Sequence, residues 1–267
     1  MKKYLSFFRV RFLTGLQYRA AAAAGIATQF AWGFMTLLLY RAFARAGYDR
    51  FPLPFESLSA YIWLQQAFLA LFAVWFWDSD ILEMVESGSV AYELCRPTDL
   101  YTMWYVKTGA ARLSRAVLRC APILLVAVFL PAPFGLTAPA SALQFLAFLL
   151  SLTLGFGVVL AFGMLVYAAE FFTVSPAGLR VLVVALVDFC QGGLLPLPFL
   201  PAALRTALEW SPFGAMQNAP LLVYSGFLTG GALLRTLGLQ LFWLLALVLL
   251  GRLILARGLR RAVVQGG

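Results

Sequence analysis

The ionisable side chains have the widest chemical reach, and this sequence has few of them: eleven Asp and Glu, twenty Lys and Arg, and no histidine among 267 residues. Without an imidazole there is no His-based triad, no His metal ligand and no imidazole proton relay. Cys95, Cys120 and Cys190 stand far apart with no C-x-x-C spacing. They outline neither a disulfide framework nor a zinc site, and read as small buried apolar residues. The phosphate-loop pattern G-x-x-x-x-G-K-[ST] does not occur, so nucleotide chemistry of that kind would belong to another polypeptide. No catalytic residue, bound cofactor or metal is expected of this chain.

More than half of the acids fall in one stretch, Asp78 to Lys107: Asp78, Asp80, Glu83, Glu86, Glu93 and Asp99. A short helix from about Ile81 to Ser87 ended by Gly88, then a second turn stopped before Pro97, is its local reading. A solvated loop is the plain alternative. Against it, Ile81, Leu82, Met84, Val85, Val90, Tyr92 and Leu94 are too apolar for a connection that touches only water, and a docked surface is expected. Asp188 is the one acid well inside an apolar run, VLVVALVDFCQGGLL, with Gln191 beside it. A charge near the bilayer centre costs about 2.5–3.5 kcal/mol. Asp188 should therefore face a wet cavity or a partner helix, either as a substrate-path or subunit-interface residue or as a structural polar group. Glu170 and Arg180 flank the loop FFTVSPAGL; they either pair across it or face water, and the solvated arrangement is expected.

The elements that must position these groups follow from composition. Sixty-three per cent of the residues are apolar and 12% charged, against roughly 45–50% and 25% in soluble domains. Lipid must be the solvent for most of the surface. The net charge of +9 is scattered between apolar runs instead of forming one basic face, which fits membrane orientation and excludes nucleic-acid binding. A span needs about 20 apolar residues, and six stretches qualify: about Ala20 to Tyr40, Leu58 to Trp77, Ala116 to Leu130, Ala142 to Ala169, Leu179 to Leu197 and Leu233 to Leu255. The third begins earlier, as a helix rising out of the cytoplasm with Arg112, Arg115 and Arg119 near the interface. Gly155, Gly157 and Gly163 would let a neighbour approach the fourth closely. In lipid such runs satisfy their backbone as helices.

The expected fold is thus all-α: a single polytopic membrane domain over residues 1–267 with about six spans. Residues 1–19 form a cytoplasmic interfacial helix, with Leu5, Phe8, Phe12 and Leu16 on one arc; Arg9 and Arg11 interrupt what would be a signal-peptide core, so cleavage is not expected. Residues 78–112 form a cytoplasmic loop. Residues 194–230 form an extracellular segment in which Pro196, Pro198 and Pro201 break the fifth span into short re-entrant pieces. Gly226 and Gly230 satisfy G-x-x-x-G but sit at the outer boundary and give only a weak helix-pairing signal. With both termini cytoplasmic, five of the twenty Lys and Arg face outward, namely Arg41, Arg45, Arg50, Arg205 and Arg235, and the other fifteen, Arg261 among them, face inward.

The run GSVAYELCRP from Gly88 to Pro97, following a second span and preceding a basic helix, resembles the pattern of ABC transporter permeases of the ABC-2 class. It is most similar to their stand-alone six-span branch. The proline-rich stretch from Gly192 to Gly226 resembles that branch's segment ahead of the last span. The resemblance implies a permease, most simply an exporter, in a bacterial plasma membrane. It would dimerise with itself or a related permease and sit on cytoplasmic ATP-binding subunits that hold ATP and Mg. It also implies a coupling helix in the inner loop, carried over here to Glu83, Glu86, Gly88, Glu93, Arg96 and Pro97. A secondary transporter or channel, or a non-transporting scaffold subunit, is the alternative from other classes; the lack of two similar halves and of a His or Lys relay counts against the former.

A cysteine placed between Asp78 and Lys107 is expected to react with a membrane-impermeant thiol reagent only after the membrane is opened. Labelling from outside intact cells would overturn this topology.

Overall fold

Long apolar runs with no solvent for their amides close into helices, and helices account for the regular structure of the computed structural model, which describes residues 2–46, 51–173 and 175–260. Arg50 and Arg261, counted above for orientation, lie outside them. In chain order the helices are α1 (Lys2–Gly15), α2 (Arg19–Arg45), α3 (Phe55–Ala67), α4 (Leu69–Phe72), α5 (Ser79–Glu86), α6 (Val90–Leu94), α7 (Leu100–Phe129), α8 (Ala142–Glu170), α9 (Pro176–Cys190), α10 (Ala202–Trp210), α11 (Asn218–Tyr224) and α12 (Gly230–Leu259). Among the described residues α2, α8 and α12 are long and apolar enough to cross a membrane by length and composition alone. At 1.5 Å per residue, the 30 residues of α12 reach about 45 Å.

Three expectations about the spans need correction. The second apolar run is not one helix: α3 stops at Ala67, α4 adds a single turn, and the chain is extended at Ala73 and does not resume helix until Ser79. The fifth ends at Cys190 after 15 residues, about 22 Å, because Gly192 takes a left-handed turn and Pro196, Pro198 and Pro201 deny the backbone donors that a longer helix needs. The third does begin early, as α7 runs unbroken from Leu100 with Asp99 capping its first turn; residues 100–112 of the expected loop are therefore helix. In that helix Arg115 and Arg119 are partly exposed, whereas Arg112 is 3% exposed and lies inside the protein.

The α1 helix packs along α7. Its Phe8 and Phe12 rings stack at 5.9 Å and are half-buried, but Leu5 is exposed, so the arc drawn from the sequence is only partly the packed face. The Lys3 ammonium donates to the Pro97 carbonyl, and the Asp99 amide donates to the Tyr4 hydroxyl at 3.0 Å. Arg252, near the far end of α12, pairs with Asp99 at 3.1 Å. The first helix and the end of the last helix thus meet the chain around residues 97–102 at one end of the bundle.

The core is centred on α8, which packs against α12 and α11. Gln240 of α12 is fully buried; its amide donates to the carbonyls of Ser151 at 3.0 Å and Ala215 at 2.9 Å, and its oxygen accepts from the Ser151 hydroxyl at 2.9 Å. A Cβ on Gly155 would stand 2.6 Å from the Met216 carbonyl, so glycine is what lets the chain ahead of α11 lie on α8. Gly157 is similarly tight against Leu244, but a Cβ on Gly163 would meet nothing within 4 Å, and that glycine does not serve a close approach. Gly226 and Gly230 both have positive φ; Gly226 lies in the turn after α11 and Gly230 is the first residue of α12, so the pair does not share a helix face.

Gly155→Ala is expected to destabilise the purified protein by about 1–3 kcal/mol through overpacking, whereas Gly163→Ala should be neutral or slightly stabilising because alanine favours helix. Thermal unfolding in detergent distinguishes the two; equal effects would contradict the packing described.

Candidate functional site

The acidic stretch folds as its sequence indicates. Asp78 caps α5 by accepting from the Ile81 amide at 3.2 Å. The helix stops where Gly88 turns at φ +73°, a conformation that a side chain disfavours. The α6 helix follows and ends before Pro97. Ile81 and Val90 are buried against α7, α8 and α12, with Leu82, Met84 and Val85 packed at the edge of the same cluster. Tyr92 and Leu94 point the other way, 80% and 51% exposed. The expected docked surface is therefore two surfaces: an inner face already covered by the bundle, and an outer one at α6.

Among the expected coupling residues, Glu83, Glu86 and Arg96 are exposed. Glu93 of α6 pairs at 3.2 Å with Arg96, two residues past the helix end. Pro97 accepts from Lys3. Glu86 faces Arg180 at 3.4 Å, and Arg180 also reaches Glu170 at 3.1 Å. That corrects the expectation that Glu170 and Arg180 face water: Glu170 is buried at the end of α8 and Arg180 bridges it to α5. Pairing of Glu170 with Arg180 was the alternative the sequence left open; the contact with Glu86 was not foreseen, because Glu86 comes from a separate element.

Two cations of α7 fasten this segment to the spans. The Lys107 ammonium, itself buried, donates to Asp78 and Asp80 at 2.7 Å each. That contact holds the Asp80 carboxyl below its ordinary pKa. The Asp78 amide donates to the Tyr167 hydroxyl of α8 at 2.8 Å. One and a half turns along α7, Arg112 donates to the carbonyls of Leu71 at 3.2 Å, Ala73 at 2.7 Å and Phe76 at 3.0 Å. These are the carbonyls left without helical donors where the second apolar run unwinds. The only sequence signal for this role was an arginine preceding an apolar run, and that is equally the signal of an interfacial one.

Asp188 and Gln191 do come together. They line a cavity of about 340 Å³ with Gln65, Gln66 and Gln217, beside the rings of Trp32, Tyr40 and Trp75. The Gln191 amide points at the Asp188 carboxylate at 3.5 Å, and the Gln191 oxygen, though buried, has no hydrogen-bond partner among the described residues. Gln65 donates to the Gly193 carbonyl at 2.7 Å and Gln217 to that of Gly192 at 3.4 Å. The wall is thus made where α9 breaks and where α3 breaks, and its amides both line the cavity and satisfy the broken backbone. The three glutamines were not singled out from the sequence; each is an isolated polar residue inside an apolar or aromatic stretch.

Residues 30–266 match the family model described as ABC-2 family transporter protein. No curated protein matches the chain. Removing the Lys107 charge tests the fastening: Lys107→Met leaves the largely buried Asp78 carboxylate without its cation and should cost about 3 kcal/mol. Asp80→Asn, at a side chain 63% exposed, should cost less than about 1 kcal/mol. Equal losses in thermal unfolding would show that the pairing carries no structural weight.

Proposed function

The chain belongs to the ABC-2 transporter family, a class of membrane transport component, and from that premise we propose that it is the permease subunit of an ATP-driven exporter. It works as a dimer on separate ATP-binding subunits in a bacterial plasma membrane. In this reading the chain crosses six times, by α2, by α3 with α4 and the non-helical stretch after it, by α7, α8, α9 and α12. The short α10 and α11 dip back from the outer side. Both termini are cytoplasmic, a placement supported by the shared contacts of α1 and α12 with residues 97–102.

The observation that carries the proposal is the two-sided character of the α5–α6 segment. Its inner face is bonded to α7 and α8 through Lys107, Ile81 and the Tyr167 hydroxyl, while Tyr92, Leu94 and Arg96 are left outward. An ATPase can drive a permease only through an element that contacts its two states differently. Here the element that would feel ATPase closure is continuous with the non-helical stretch at residues 73–78, which follows α4 and borders the cavity of Asp188 through Ala73 and Trp75. Asp188 and Gln191 are the proposed substrate-path or subunit-interface groups; Trp32, 56% exposed beside them, supports an opening toward a partner or a cargo.

Replacing Glu86 and Arg96 together with alanine is expected to uncouple transport from ATP hydrolysis. Because Glu86 also holds Arg180, a second variant is needed: Tyr92→Ala with Leu94→Ala removes exposed side chains without breaking an ion pair. It should lower co-purification of the ATP-binding subunit while leaving thermal stability unchanged. Persistence of transport and of permease-stimulated hydrolysis in both variants would refute the assignment.

A further inference from the structure

A second cavity, of about 410 Å³, lies between α1, the start of α2, the start of α5 and the middle of α7. Its ionisable lining is Arg11, Lys107, Arg115 and Arg119 against Asp78 and Asp80. Both carboxylates are taken by Lys107, and Asp80 also lies within electrostatic reach of Arg11. Arg115 and Arg119 remain. They stand one turn apart on α7, a like-charge spacing that destabilises a helix unless something negative sits between them, and among the described residues neither has a carboxylate within ion-pair distance. The Arg119 Nε is buried with no hydrogen-bond partner.

The surroundings are shaped around these side chains. A Cβ on Gly25 of α2 would stand 2.5 Å from the Arg119 guanidinium carbon, so the helix carries a glycine where the guanidinium passes. The Gly15 end of α1 lies directly on Ser114 of α7, closing one wall. Arg115 rests over the Phe76 ring at 5.1 Å, a cation–π contact. A guanidinium fork held in place matches phosphate oxygens two at a time.

We propose that this pocket binds the phosphate of an anionic phospholipid, with Arg115 and Arg119 as the principal ligands and Arg11 opposite. A free phosphate would use only the cations, whereas the rim is apolar: Tyr18, Ala21 and Leu118 line the cavity, and Leu5, Val10, Leu13 and Tyr18 lie exposed on and just after α1. A headgroup in the cavity with its chains along α1 accounts for both halves of the surface. Basic pockets between spanning helices on the cytoplasmic side are a general headgroup-binding arrangement. The choice of inner leaflet rests on the orientation proposed above. Lipid selectivity itself is a property of the isolated chain and can fail independently of ATP coupling.

The test is thermal unfolding of the purified full chain in neutral detergent with added phosphatidylglycerol, phosphatidylcholine of the same acyl chains, or sodium phosphate. Phosphatidylglycerol should raise the unfolding temperature by several degrees through preferential binding to the folded state, and the other two should not. Arg115→Gln with Arg119→Gln should abolish the increment; Arg205→Gln, at the opposite end of the chain's topology, should keep it. An equal effect of phosphatidylcholine, an equal effect of phosphate alone, or an increment retained in the double variant would overturn the proposal. Native mass spectrometry of the unmodified chain decides the same point if the double variant does not purify: retention of phosphatidylglycerol over phosphatidylcholine supports the pocket, and equal retention refutes it.

Discussion

The three hydrogen bonds from Arg112 to the carbonyls of Leu71, Ala73 and Phe76 are the interaction on which the arrangement of the segment around them depends. A membrane interior offers no water to a backbone that leaves its helix, and each unsatisfied group there costs several kilocalories per mole. The second apolar run leaves its helix at Phe68. A single guanidinium with its five donors in a planar fork is one of the few side chains that could cap three carbonyls at once. Its own charge is buried as a result, and the carbonyl dipoles are what keep that burial tolerable. Unwinding and arginine therefore stabilise each other, and neither would be expected without the other.

The same constraint recurs wherever a helix breaks. Gln29 donates to the Gln66 carbonyl at 3.0 Å, beside the break between α3 and α4. After α9, the freed carbonyls of Gly192 and Gly193 are met by Tyr61, Gln65 and Gln217, and the Leu197 amide donates to Asn218. Gln144 donates to the carbonyls of Val223 and Tyr224 where α11 ends. These amides come from α2, α3, α8 and the α11 region, so each break is also a point where elements distant in sequence are joined. A polar side chain in an apolar run is costly unless it performs such a task, which explains why so few are present.

Much of this was legible in the sequence and some could not be. Apolar run length located α2, α8 and α12 to within a few residues, because a lipid-facing helix has little freedom in composition. Gly88 and Pro97 marked the ends of α5 and α6, since turn chemistry is local. The break in the second run was hidden: Leu69 to Trp77 is as apolar as a continuous helix, and the Arg112 that meets its freed carbonyls lies some forty residues away. Arg112 itself was misplaced at the interface because a buried arginine and an interfacial one look alike until their partners are known. The Glu86 arm of the Glu170–Arg180–Glu86 bridge was missed for the same reason, and the Glu170–Arg180 pairing was ranked below solvation. Asp188 and Gln191 were found as candidates because a lone acid in an apolar run is conspicuous; the glutamines that share their cavity were not, since an uncharged amide hardly lowers the hydropathy of its surroundings.

The broken second run also explains why the acidic segment can be both anchored and mechanically connected. Had the helix continued from Ala67 to Trp77, its backbone would be saturated internally, and Arg112 would have no carbonyls to hold. Instead the non-helical stretch at residues 73–78 presents the Ala73 and Phe76 carbonyls to Arg112 of α7 and then delivers Asp78 to Lys107 and Tyr167. A displacement of α5 must therefore either pull α7 along through Lys107 and Arg112 or break buried charge-assisted bonds, which cost more than ordinary hydrogen bonds to lose. Movement of the segment as one body with α7 is the cheaper course. Because Ala73 and Trp75 of the same stretch form part of the wall beside Gln65, Gln66 and Asp188, such a movement would reach the polar cavity without requiring any long-range rearrangement of the core around α8 and α12.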